Sequence, residues 1–242
     1  MAYCIRPARL PRGPGICTTR AELTAGSTAV RDSRATALAR LGRVYGVLAC
    51  GVAWTTAMCV CTGLLVPASA LPIWLAGSLF VSLVLSLAIW LTGTSARVSA
   101  TMLALTCTVD GAVLGPTLRL IERGAPGVTM LAVTTTVAMV GVLTMYVAWS
   151  GHRFSHWRAF LCCALAAVLV TGIVGVAMHI TWLVQAVCAI SVLVFGAAVV
   201  VDTSAILEPG HENVVACAFS LYLSVRGLFV SCLELLVRSW HR

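Results

Sequence analysis

The chain has 242 residues, of which 60% are hydrophobic and only 10% charged, with a mean hydropathy of +1.00. Water-soluble domains carry about 25% charged residues, so this composition excludes an ordinary soluble domain. The formal net charge is +8; such a balance can mark a nucleic-acid partner, but here it adjoins a membrane span and reads as the positive-inside rule, with no nucleic acid involved.

Residues 1–43 hold eight Arg against two acids, Glu22 and Asp32, so this segment alone carries +6. It has Pro7, Pro11 and Pro14 and no apolar core, and it reads as a disordered Arg-rich cytosolic tail. No apolar h-region precedes a small-residue cleavage site, so no signal peptide is expected, and the early prolines and glycines interrupt the amphipathic helix of a mitochondrial transit peptide. Seven apolar segments follow, at 44–66, 71–91, 98–118, 127–149, 159–178, 182–202 and 214–236. Each is long enough to cross a hydrocarbon core about 30 Å thick at about 1.5 Å per helical residue. The connections between them are short and leave no room for a soluble catalytic domain. Residues 44–237 therefore read as one seven-span membrane domain, with 238–242 as a short C-terminal tail.

Counting Arg in the tail and connections gives eleven on the N-terminal side against four opposite if the last segment crosses, and thirteen against two if it re-enters. Both counts place the N-terminus in the cytosol, and the crossing of the last segment stays open. The chain has no Lys, and Asn213, its only Asn, is followed by Val-Val, so no glycosylation sequon exists. Most of the eleven Cys fall inside spans, where Cys behaves as a small packing residue. No zinc-ligand spacing is present, and neither a metal nor a cofactor is expected.

Ionisable residues inside a bilayer cost at least about 2.5–3.5 kcal/mol each and mark functional sites by default. Four lie within or near the spans: Asp110, Asp202, Arg226 and Glu234. Glu234 precedes Arg238 by four residues, the spacing of an ordinary helix-surface pair. Asp110 is mid-span, and Asp202 ends the apolar run Val192 to Val201. Arg226 falls about halfway along the last segment, too deep to snorkel easily; a carboxylate or a water-filled cavity is the natural way to satisfy it. Enzyme chemistry has little support. His152 and His156 share a short loop with Arg153 and Arg158 and no carboxylate, and Ser220 and Ser224 lack a Gly-x-Ser-x-Gly setting. No catalytic residue is assigned, and the chain is not expected to be an enzyme.

The run Phe195-Gly196-Ala197-Ala198-Val199-Val200-Val201-Asp202-Thr203 resembles the penultimate-span signature of the transmembrane Bax inhibitor motif family. Glu212-Asn213 followed by Ala218-Phe219-Ser220-Leu221-Tyr222-Leu223, with Leu228-Phe229-Val230-Ser231 beyond, resembles the start of that family's final helix. Arg43-Val44-Tyr45-Gly46-Val47-Leu48 resembles the opening of its first span, and Leu114-Gly115-Pro116 after Asp110-Gly111 the ending of its third. The Lys-free, Arg-rich and Cys-rich composition suggests a viral member of the cytomegalovirus type.

This resemblance implies an all-α integral membrane protein, a seven-helix bundle with six helices around a central C-terminal helix. It implies a pH-sensitive calcium leak, usually from the endoplasmic reticulum, and suppression of cell death in animal members. In many members an Asp at the position of Asp202 shares a proton with an Asp on the final helix; here that second position is Ser224. The expected pathway therefore has Asp202 at its cytosolic end, Ser224 as hydrogen-bond partner, Asp110 as a second acidic station and Arg226 as an extra charge. The partners expected are the lipid bilayer, calcium as permeant ion and host membrane proteins. The rival expectation is a non-conducting protein that binds or retains other membrane proteins through its spans.

Overall fold

A long apolar segment in lipid must satisfy its backbone N–H and C=O groups internally, and a helix does so within itself. In the computed structural model, which describes residues 20–65, 96–150, 157–207 and 213–240, the apolar segments are helices and no strand occurs among the described residues. The helices are α1 (Arg20–Leu65), α2 (Ala96–Gly124), α3 (Val128–Ser150), α4 (Arg158–Ala177), α5 (Thr181–Leu207) and α6 (Val214–Trp240). Five described helices are long and apolar enough to cross a membrane, and α4 contributes a shorter apolar stretch, Ala159–Gly175. The segment expected to span at 71–91 lies outside the described residues, as do residues 1–19 and the loop carrying His152 and His156. By packing, the chain divides into residues 1–36 and 37–242, and the helix contacts that follow lie within the second unit. Residues 20–43, expected within the tail, belong to helix α1.

The outward faces confirm the solvent. Met130, Val137 and Met145 on α3 and Phe160 and Ile173 on α4 are exposed, an arrangement that only an apolar surrounding makes favourable.

Helix α2 runs past Pro116, beyond the sequence boundary at 118, and ends at Gly124. The extension is held by packing: Leu118 and Ile121 lie against Ala125, Val128, Ala132 and Leu233. Arg119, expected in a loop, instead donates from Nη1 to the Gly63 carbonyl, one of the last carbonyls of α1 and without an intrahelical partner. The turn into α3 uses Gly127 at φ 84°, and its N–H donates to Glu122 Oε1 at 2.8 Å. The α4–α5 turn is closed by His179 at φ 54°, with Ile180 N–H donating to Gly175 O at 3.0 Å, the six-to-one bond of a left-handed helix C-cap.

Close helix crossings fall where side chains are smallest. On α2, Gly111 and Gly115 form a Gly-x-x-x-Gly stripe against Thr55, Met58, Cys59 and Thr62 of α1, and Thr62 Oγ1 donates to Gly111 O at 3.2 Å. A Cβ at Gly111 would lie 2.6 Å from both Met58 Cβ and the Thr55 carbonyl oxygen. Small residues allow this approach, which dispersion and interhelical hydrogen bonds then stabilise. On α6, a Cβ at Gly227 would overlap the Phe195 ring of α5.

Helix α6 packs on α2, α3 and α5 and reaches α1 through Tyr222. Its buried residues, from Ala218 to Leu233, cover about two thirds of its circumference, as in a helix largely enclosed by others. It is an unbroken helix of 27 residues, long enough to cross. Replacing Gly115 by Ala should destabilise the protein in detergent by about 1–3 kcal/mol through overpacking. The same change at Gly141, where a Cβ meets nothing within 4 Å, should be neutral or stabilising by up to about 1 kcal/mol; thermal unfolding of the two variants checks the contrast.

Candidate functional site: two carboxylates held by the last helix

Residues four apart on a helix share a face, and residues two apart, separated by about 200°, lie on nearly opposite faces. Helix α6 carries two such pairs, Ser220 with Ser224 and Tyr222 with Arg226. Each pair grips one carboxylate from a different neighbouring helix.

On the first face, Ser220 Oγ donates to Asp202 Oδ1 at 2.8 Å, and Ser224 Oγ donates to Asp202 Oδ2 at 2.6 Å. Asp202 sits in the last two turns of α5, between buried Val201 and Thr203. Its carboxylate is half-buried, while Ser224 is buried. Neutral hydroxyls thus tie the end of α5 to the middle of α6.

On the opposite face, Asp110 of α2 is fully buried. Its Oδ1 lies 2.9 Å from Arg226 Nη2, and its Oδ2 accepts from Tyr222 OH at 3.0 Å. Tyr222 OH is also 2.9 Å from Thr55 Oγ1 of α1, and Thr55 Oγ1 is 2.9 Å from the Gly51 carbonyl oxygen. A tyrosine hydroxyl has one proton to give. With that proton on Asp110, Thr55 is the donor to Tyr222 and divides its own between Tyr222 and Gly51. The side chain of Arg226 is 24% exposed, so the guanidinium spans from the dry carboxylate towards the helix surface. One network therefore joins α1, α2 and α6.

The sequence expectation placed Asp202, Ser224, Asp110 and Arg226 along one pathway. The structure brings Ser224 to Asp202 and Arg226 to Asp110, and distributes the two pairs over opposite faces of α6. Asp110 thus has one oxygen against Arg226 and the other accepting from Tyr222. Ser220, Tyr222 and Thr55 were not singled out by sequence as site residues. For the first two, the i, i+4 spacing to Ser224 and Arg226 was an available signal; for Thr55, on a remote helix, there was none. Glu234 and Arg238 form the 2.9 Å pair expected from their spacing. Among the described residues no three His, Cys, Asp or Glu side chains cluster to hold a metal.

Tyr222→Phe keeps the ring and removes the proton given to Asp110. It should cost about 1–3 kcal/mol, the penalty for a buried acceptor losing its donor, whereas Tyr146→Phe on the exposed face of α3 should leave the thermal midpoint in detergent unchanged.

Comparison with known proteins places these features. The family model described as "Inhibitor of apoptosis-promoting Bax1" matches residues 38–240, which include every helix crossing and both carboxylates. An uncharacterized membrane protein of Vibrio cholerae is 30% identical over 129 residues, 52% of this chain and 57% of that protein. A protein of Escherichia coli K12 named modulator of FtsH protease YccA is 27% identical over 127 residues, 52% of this chain and 58% of that protein. The chain thus aligns with little more than half the length of these relatives. From its membrane-spanning helices and the extent of the family match, the chain is an integral membrane protein that belongs to the Bax inhibitor family.

Proposed function

We propose that the protein is a calcium-permeable leak channel of intracellular membranes, foremost the endoplasmic reticulum, that lowers store calcium and so suppresses cell death, with Asp202 at its gate. The N-terminus faces the cytosol on the arginine count, which sets the Asp202 end of α5 on the cytosolic side. The observation that carries this reading is the Asp202–Ser220–Ser224 latch. A carboxylate and two hydroxyls are hard oxygen ligands of the kind calcium takes, and here they lie where the penultimate helix meets the enclosed one.

The energetics favour a leak over a tight gate. A hydrogen bond to a charged group contributes about 1.5–3 kcal/mol, so two of them hold the helices together by a few kcal/mol. Two bonds of that size, about 3–6 kcal/mol together, hold the open state to about 1% or less. When the hydroxyls rotate away, the Asp202 oxygens they held can meet a cation. The latch uses one carboxylate and two neutral donors, so no proton is shared within it, and its closure depends little on pH.

The name of the Escherichia coli relative, a modulator of FtsH protease, favours a second reading, in which the chain acts by binding another membrane protein through its spans. Purified protein in calcium-loaded liposomes separates the two, since only a channel passes calcium unaided. On the leading reading Asp202→Asn changes the leak rate severalfold; an unchanged rate with unchanged pH response would remove Asp202 from the gate. Ser224→Asp restores a pair of carboxylates, which titrates as a coupled unit, and it should make calcium flux steeply pH-dependent where the parent protein is nearly flat.

A further inference from the structure

The network on the far face of α6 has a role of its own, which rests on the leak reading for its effect on calcium. Asp110 is fully buried, and among the described residues the following charged and titratable groups face it. Helix α6 presents Arg226 at 2.9 Å and Tyr222 at 3.0 Å, its own helix presents the buried Cys107 one turn earlier, and α1 contributes the neutral Thr55 hydroxyl through Tyr222. Arg226 is therefore the cation that lets this carboxylate stay charged in an apolar interior. A buried carboxylate stripped of its cation takes up a proton instead of bearing the desolvation penalty.

We propose that Arg226 is a positioning residue that fixes Asp110 as a permanent carboxylate, making the grip of α2 on the central helix a fixed-charge clamp independent of pH. Three observations converge on this. The ion pair is direct, and the other carboxylate oxygen accepts from Tyr222, so both oxygens of Asp110 face a group of the last helix. The clamp acts on the helix face opposite the Asp202 latch, so its strength biases how far α6 can move when that latch opens. A guanidinium also stays protonated at every pH a cell presents, so the pair has no titrating member while it is intact.

The consequence is specific. In Arg226→Gln the Gln amide still donates hydrogen bonds, but Asp110 loses its counter-charge and becomes a titrating group against the enclosed helix α6. In liposomes holding a calcium-sensitive dye, the calcium leak of Arg226→Gln should vary by about tenfold between mildly acidic and mildly alkaline pH, the change tied to one unit of titration. This pH dependence exceeds that of the parent protein. Asp110→Asn/Arg226→Gln, which has no carboxylate there, should return to the parent's response. A purely structural role for Arg226 predicts instead the same loss at every pH and no rescue by Asp110→Asn.

Thermal unfolding in detergent reads the same clamp without any flux. Arg226→Gln should lose stability as pH rises, because a buried carboxyl is kept neutral more readily in acid, and the double variant should not. Absence of calcium passage in every protein, with this pattern of unfolding intact, would remove the leak reading and leave the clamp. A stability difference between Arg226→Gln and the double variant that does not change with pH would overturn the clamp.

Discussion

The arrangement on which the structure depends is the grip of one helix on two carboxylates. Helix α6 carries Ser220 and Ser224 on one face and Tyr222 and Arg226 on the other, and each pair holds an Asp from a different neighbour. A carboxylate in an apolar interior is tolerated only when its oxygens are hydrogen-bonded or paired with a cation. Those four α6 side chains thus decide which helices can lie beside α6 and in what register. The close approaches follow from the same constraint: Gly227 admits the Phe195 ring, and Gly111 and Gly115 admit α1, so that the polar atoms of neighbouring helices reach one another.

The two grips differ in kind, and the difference organises the functional reading. Two neutral hydroxyls on Asp202 can exchange for water or a cation at modest cost, since a serine hydroxyl can turn to a carbonyl of its own helix instead. The guanidinium on Asp110 cannot leave so cheaply, because separating a buried pair strands a charge, a loss of about 3–5 kcal/mol when one partner is removed. A central helix held firmly on one face and loosely on the other has a preferred side from which to open. That asymmetry is the physical content of assigning the gate to Asp202 and the fixed support to Asp110.

Much of this was legible in the sequence. Length and apolarity marked the membrane helices, as Val128–Ser150 and Val214–Trp240 show. The rule that intramembrane charges are functional picked out Asp110, Asp202 and Arg226. It could not say which charge meets which, because partners on remote helices leave no trace in local periodicity, and it placed on one route two pairs that face apart. Helical spacing sets Arg226 on a largely different face of α6 from Ser224, yet which neighbouring helix each face meets cannot be read from it. The end of α2 was misjudged for a related reason. The charged stretch from Arg119 reads as the start of a connection, yet packing of Leu118 and Ile121 against the far end of α6 carries the helix on to Gly124.

The most direct measurement is calcium entry into liposomes that contain the purified full chain and no other protein. The account predicts a steady rise of an entrapped calcium dye above that in protein-free liposomes, reached without any partner. Liposomes that stay as tight as the protein-free controls, with the protein shown to be inserted and folded, would contradict it.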